Sequence, residues 1–334
     1  MDTPVKEFLG QIKIGAKQIH KNMTVYCLLV AQEASVEFLT LDEALEREAL
    51  VITEVSEGGA VPNLKVQKKS DQKVLLLDGE ELVGAKQNRV LNVTILIAPH
   101  SETVIPVSCV EQGRWSYRSK QFGSESRAMS AKLKKRKSET VNMNLRRGQD
   151  FRSDQGVVWE EIENKYARMA AEPSRTMAMA DLYESHKDST NEYLKAFHPV
   201  DNQAGMLVFI DGELAGIELL GRFHAFRQNH SKLVTSYVMD ALETANLDTF
   251  PGKQSLKANS AKLLEQTQLA TIEARKSVAL GIDLRLESDG LMGAGLEFEG
   301  QILQLSIFSK ENGNVRDNRT RMARASTRRN SRRK

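Results

Sequence analysis

The stretch "VLLLDGEELVGAKQNRVLNVTILIAPHSETVIPVSCVEQGRW", residues 74–115, gathers a pair of carboxylates, an amide-rich run, a thiol and an arginine beside a tryptophan. Glu80 and Glu81 offer general acid or base chemistry, but adjacent residues on a strand point to opposite faces, so at most one of them joins a shared site. In "GAKQNR" the same alternation puts Lys86 and Asn88 on one face and Gln87 and Arg89 on the other. The amides of Gln87 and Asn88 carry both donors and acceptors, suited to a nucleobase edge, a ribose hydroxyl or a carboxamide. Arg114 can fork a phosphate, and Trp115 offers a stacking face. The chemistry this suggests is hydrolysis or group transfer with Glu80 or Glu111 as the base, Arg114 on a phosphate, and Gln87, Asn88, Arg89 and Trp115 holding the ligand. Each feature also has a plainer explanation: a solvated hairpin tip, an exposed edge strand, and an arginine–carboxylate bridge beside a core tryptophan.

Cys109 in "IPVSCVE" is flanked by apolar residues and reads as a buried, inert thiol. Alternation sets Glu111 on its face and leaves His100 across a hairpin, but a Cys-His-Glu nucleophile is the less favoured reading, because a reactive thiolate needs a depressed pKa. The only other cysteine is Cys27, and there is no CxxC. The histidines at 20, 100, 186, 198, 224 and 230 show no HxH or HExxH spacing, so no metal site is expected. GxGxxG, P-loop and GxSxG motifs are also absent, and the cofactor stays unknown. No apolar run reaches the length of a membrane span and the start lacks a secretory pattern. The expectation is a cytoplasmic protein with no membrane partner.

The formal net charge of +3 over 334 residues hides an asymmetry. Residues 118–152 hold eleven Lys/Arg against three carboxylates, and residues 310–334 hold ten against two, a net +8 each; everything else carries −13. These basic elements either attract polyanions or neutralise the acidic body. "KLKKRK" (residues 132–137) puts like charges on every face and reads as a solvated, mobile element. The tail from 310 to 334 has little apolar content and reads as disordered, a candidate for non-specific nucleic-acid contact through phosphates.

The elements that must position these residues follow from periodicity. "MTVYCLLVAQ" and "SVEFLTL" read as strands, "LDEALEREA" as a short helix, and "KVLLL", "LVGAKQNRVL", "VTILIA" and "TVIPVSCVE" as an antiparallel meander turned by Asp78-Gly79, Pro99 and Gly113. Helical spacing takes over in "SRAMSAKLKKRK", "QGVVWEEIENKYARMAA" and "DLYESHKDSTNEYLKAF". "GMLVFIDGELAGIELLG" returns to strands, "NHSKLVTSYVMDALETAN" and "SLKANSAKLLEQTQLATIEARKS" read as helices, and "IDLRLES", "GAGLEFEG" and "QILQLSIFS" as closing strands. The fold class is α+β, rich in antiparallel β elements, with a helical middle and a basic tail. The segments are 1–123 (β-rich first lobe), 124–204 (mainly helical), 205–309 (second α+β lobe) and 310–334 (tail). "LLLDGEELVGAKQNR" and "VFIDGELAGIELLGR" echo each other. They are either two ordinary Asp-Gly hairpins or the mark of two related β-lobes facing across a cleft.

With the signatures "GEELVGAKQNR", "IPVSCVEQGRW", "QGVVWEEI" and "GMLVFIDGELAGIEL" in view, residues 10–308 resemble an uncharacterised domain family named for its association with ADP-ribosylglycohydrolases and rhodanese-like phosphatases. The resemblance implies a small nucleotide-like ligand: ADP-ribose, or an NAD-derived or related phosphorylated nucleotide. It assigns a role to none of the matching residues, which include Gly79, Glu80, Gly84, Gln87, Asn88, Cys109, Glu111, Gly113, Arg114, Trp115, Trp159 and Asp211-Gly212. An enzyme acting on the ligand, a module that senses or sequesters it, and a polyanion-binding protein all remain open, as does the oligomeric state.

Overall fold

The computed structural model describes residues 4–56, 62–245 and 256–310, and its largest element is an antiparallel sheet drawn from both ends of the chain. The order across it is β1 (Lys13–His20), β2 (Met23–Leu29), β12 (Gln203–Ile210), β13 (Glu213–Leu220), β17 (Gln301–Ser309), β16 (Leu291–Phe298), β15 (Ile282–Ser288) and β14 (Thr271–Lys276). β12 and β13 turn back at Asp211-Gly212, both with positive φ (52° and 80°), the conformation a two-residue hairpin loop demands. Successive residues of β12 alternate between two cores. Met206 and Val208 pack with Phe226, Val234 and Tyr237 of α7 (Phe223–Ala241). Leu207 and Phe209 pack with Val5 and Leu9 of α1 (Pro4–Gly10) and Leu264 of α8 (Leu256–Gln268). Because both faces are covered, "GMLVFI" has no polar face at all.

The intervening chain builds a closed barrel in the order β10 (Glu102–Cys109), β5 (Asn63–Lys68), β4 (Leu50–Glu54), β11 (Phe122–Gly123), β7 (Glu81–Gly84), β8 (Arg89–Leu91). Beside it lies a small sheet of β3 (Phe38–Thr40), β6 (Lys73–Leu76) and β9 (Ile95–Ile97), in which β3 and β6 are parallel. α2 (Leu41–Glu46) opens on a full capping box between Thr40 and Glu43. α3 (Ala131–Arg146) and α4 (Gln155–Arg168) pack together, and α5 (Met179–Ser185) and α6 (Lys187–Leu194) complete the helical middle.

Several sequence expectations change here. The Asp78-Gly79 turn does not fold β6 back onto β7; it passes the chain from the small sheet into the barrel, so the two echoing segments are not equivalent hairpins. "LVGAKQNRVL" breaks into β7 and β8 around a turn at 85–88, and the helix expected through residue 277 ends at Gln268, leaving β14 beyond it. "KLKKRK" is not a solvated element: Lys134, Lys135 and Lys137 are buried. Lys134 donates to Glu218 of β13 (2.8 Å) and Ser306 of β17 (2.9 Å), while Lys137 pairs with Asp78 at the edge of the barrel. α3 therefore binds the large sheet to the barrel by buried ion pairs, and the positive charge of this segment neutralises carboxylates inside the molecule. The expected free tail lies, after Lys310, outside the described residues.

Candidate functional site

Strand alternation inside the barrel gives it an apolar middle and one polar end. Leu50 and Ile52 of β4, Leu64 and Val66 of β5, and Ile105 and Val107 of β10 fill the interior, and each strand's period of two then decides what comes next. On β4 the next inward position after Ile52 is Glu54, and on β10 the next after Val107 is Cys109, which pairs directly with Arg89 of β8. Arg89 is 0% exposed and Glu54 7%.

The turn between β7 and β8 is fixed by the loop that follows β10. Gly84 has φ 131°, and a side chain there would collide with Ser119 Oγ (2.5 Å) and Gln121 O (2.8 Å), so only glycine permits this approach. Ala85 is left-handed as well. Arg114 reaches back over the turn: Nη1 donates to Ala85 O (2.7 Å) and Ser116 O (3.0 Å), Nη2 to Asn88 Oδ1 (3.0 Å), and Nε to Glu111 Oε1 (2.9 Å), with Nη2 also 2.7 Å from Glu111 Oε2. These contacts engage all of the guanidinium's nitrogens and make Arg114 a clamp on the loop.

The amides sit on either side of this clamp. Asn88 Nδ2 donates to Glu81 Oε1 (3.3 Å), and the Asn88 backbone N–H to Glu111 Oε2 (3.1 Å). Gln87 Nε2 donates to Glu111 O (2.8 Å), and Gln87 Oε1 accepts from Arg89 Nη1 (2.8 Å) and the Cys109 thiol (3.2 Å). Gln87 thus lies on the side of Arg89, and the Asn88 side chain is turned toward Glu81 and Arg114. Gln155 of α4 grips the Cys109 backbone from outside, accepting from its N–H and donating to its C=O, both at 2.8 Å.

Burial sets the electrostatics. It pushes the Glu81 carboxyl up to about 7, against the opposing pull of Arg127 and Asn88. Burial likewise raises the Cys109 thiol, although Arg89 is near. Burial would also raise Glu111, but Arg114 and the Asn88 N–H hold it below the ordinary carboxylate range. Desolvation lowers Arg89, with Cys109 and Glu54 pulling the other way.

Of the residues singled out in the sequence, Gln87, Asn88, Arg89, Glu111, Arg114 and Trp115 come together at this end of the barrel. Glu80 does not. It is buried in a separate cluster, paired with Lys232 of α7, which also lies 3.1 Å from Asp42; burial opposes the Lys232 charge, but the two carboxylates keep it protonated. His100 is on the exposed surface against Asp71, 2.6 Å away. Glu54 is not among the residues singled out in the sequence, although in "LVITE" the positions of Leu50, Ile52 and Glu54 fall on one face, placing an acid where a core residue belongs.

The outer surface of this end is aromatic and cationic. Trp115 is 48% exposed and Tyr117 53%; the Trp115 ring lies 5.7 Å from the Arg89 guanidinium, and Lys86 Nζ lies 5.4 Å from the Trp115 ring and 5.1 Å from that of Tyr117. Among the described residues no group of three or more His, Cys, Asp or Glu side chains is placed to hold a metal ion, and no helix is long and apolar enough to cross a membrane.

The family model for the ARG and Rhodanese-Phosphatase-superfamily-associated Protein domain matches residues 11–308. The chain belongs to this family. The matched span takes in the barrel, the large sheet and every helix from α2 onward, and it stops before the basic tail. No curated protein and no solved structure matches the chain.

Proposed function

We propose that the polar end of the barrel binds a nucleotide of the ADP-ribose or NAD-derived class, acting as a module that senses or sequesters it. The observation that carries this reading is the half-exposed pair Trp115 and Tyr117, with Lys86 within 5.4 Å of both ring centres and the Arg89 guanidinium 5.7 Å from that of Trp115. An indole face stacks a base and the cations attract its phosphates. The family's name, which links it to ADP-ribosylglycohydrolase and rhodanese-phosphatase proteins, points to the same ligand class. Binding is favoured over turnover because the anticipated catalytic groups are engaged: Glu111 is forked by Arg114, Glu80 is paired to Lys232, and Cys109 is buried with its thiol raised. Arg114, its nitrogens spent on the loop, supports the platform without contacting phosphate.

Titration of ADP-ribose and NAD into the protein, followed by tryptophan fluorescence and calorimetry, tests this. The expected result is saturable binding that Trp115→Ala weakens about tenfold while the melting temperature barely moves, since stacking a base on an aromatic ring contributes about 1–3 kcal/mol. Absence of binding by either nucleotide refutes it.

A further inference from the structure

Beneath Trp115, the barrel end holds two opposite charges that do not satisfy each other. Both carboxylate oxygens of Glu54 lack a hydrogen-bond partner among the described residues, and so do Nε and Nη2 of Arg89. Leaving such groups unpaired is costly, and folded proteins rarely tolerate it away from functional sites. The two sit at the same end of the barrel on β4 and β8 and feel each other's charge, but neither finds the other as a hydrogen-bond partner.

The geometry of what is left over is specific. Arg89 has committed Nη1 to Gln87 and its guanidinium lies 5.7 Å from the Trp115 ring centre, so its unused side is the Nε–Nη2 edge, two parallel N–H groups that point the same way. Glu54 offers only acceptors. A complement must therefore present an acceptor to Arg89 and an N–H donor to Glu54 from one edge. It must also be neutral overall, because the walls beyond these two residues are apolar (Ile52, Leu82, Val107, Phe122). A phosphate fails on the Glu54 side and an ammonium fails on the Arg89 side.

We infer that Glu54 and Arg89 form a specificity pair that reads the amide-like edge of a planar ring, an N–H donor beside an acceptor. This rests on the nucleotide reading above and adds to it the part of the ligand that the barrel end recognises. Within that class two groups carry such an edge: the N6 amino group with N1 of adenine, and the carboxamide of nicotinamide.

Two pairs of probes separate the sources, each differing only at the edge. ADP-ribose is compared with 1,N6-etheno-ADP-ribose, whose added ring removes the donor and blocks N1. Nicotinamide mononucleotide is compared with nicotinic acid mononucleotide, which turns a carboxylate toward Glu54. Calorimetry on the full chain is expected to show the edge-bearing member of at least one pair binding about tenfold or more tightly, the value of a hydrogen bond to a charged group. The pair that shows it identifies the ring. Glu54→Gln, which keeps the shape and removes a buried charge, should leave the melting temperature no lower and abolish the discrimination. If the probes bind but the wild-type protein separates neither pair, or if Glu54→Gln still separates them, the specificity pair is wrong and the nucleotide site stands. If none of the four binds, both fall. The wild-type comparison decides even if the variant does not fold.

Discussion

Glu81 makes the stability of the protein depend on pH in a way that can be worked out in advance. Its carboxyl titrates near 7 in the folded chain against an ordinary value of 4.5, because burial outweighs the help it receives from Arg127 and Asn88. The folded state therefore holds a proton that the unfolded state has already released. The stabilisation tied to that proton is complete below pH 4.5 and is lost as pH rises through 7. A raised pKa of this size corresponds to about 3 kcal/mol at 1.36 kcal/mol per pH unit. Glu81→Gln keeps the shape and abolishes the titration, so wild type should lose about 3 kcal/mol relative to the variant between pH 4.5 and pH 8. His230 works in the opposite sense: burial pushes it down to about 4, so its contribution is full above its ordinary value of 6.5 and is lost as pH falls through 4. His230 is present in both proteins and cancels in the difference. Urea unfolding followed by tryptophan fluorescence at four pH values supplies the numbers. Curves for wild type and Glu81→Gln that stay parallel within about 0.5 kcal/mol would refute the assignment, since that is the scatter expected of independent effects.

Lys137→Met should cost about 3–5 kcal/mol in the same unfolding assay by stranding the buried Asp78 carboxylate, and adding Asp78→Asn should recover more than half; a single variant as stable as wild type would contradict the buried pair. Native Cys109 should resist thiol reagents until denaturant is added, and Cys109→Ser should cost about 1–2 kcal/mol through a buried hydroxyl; fast labelling without denaturant would overturn this. Removing residues 311–334 should leave the unfolding midpoint and nucleotide affinity unchanged, while any non-specific binding to nucleic acid weakens and its salt dependence becomes shallower; a lower midpoint in low salt would show that the tail docks on the acidic body.

What could be read from the sequence was what depends on local period. The α+β class and the Asp211-Gly212 hairpin follow from the strand repeat. The environment of α3 did not follow from it: Lys134 and Lys137 find Glu218 and Asp78 on other elements, and a run of lysines carries no mark of partners so distant. The role of Arg114 was hidden for a related reason, since the carbonyls it holds, Ala85 O and Ser116 O, belong to backbone and leave no trace in residue type. Glu54 stands apart from the dense polar run of residues 78 to 115, and only the alternation of "LVITE" marks it as an acid on the buried face of β4.

The large sheet imposes an order of events on the newborn chain. β1 and β2 are made first, but the neighbour that completes β2 is β12, with residues 30–202 between them. At about 5–20 residues per second, translation takes roughly 10 to 35 s to reach that partner. The barrel strands lie within residues 50–123 and can close in that interval. The apolar "MTVYCLL" of β2 meanwhile keeps one edge open, and an unpaired apolar edge is a template for pairing with another chain. That edge is open only until β12 is made, after which β2 lies between β1 and β12.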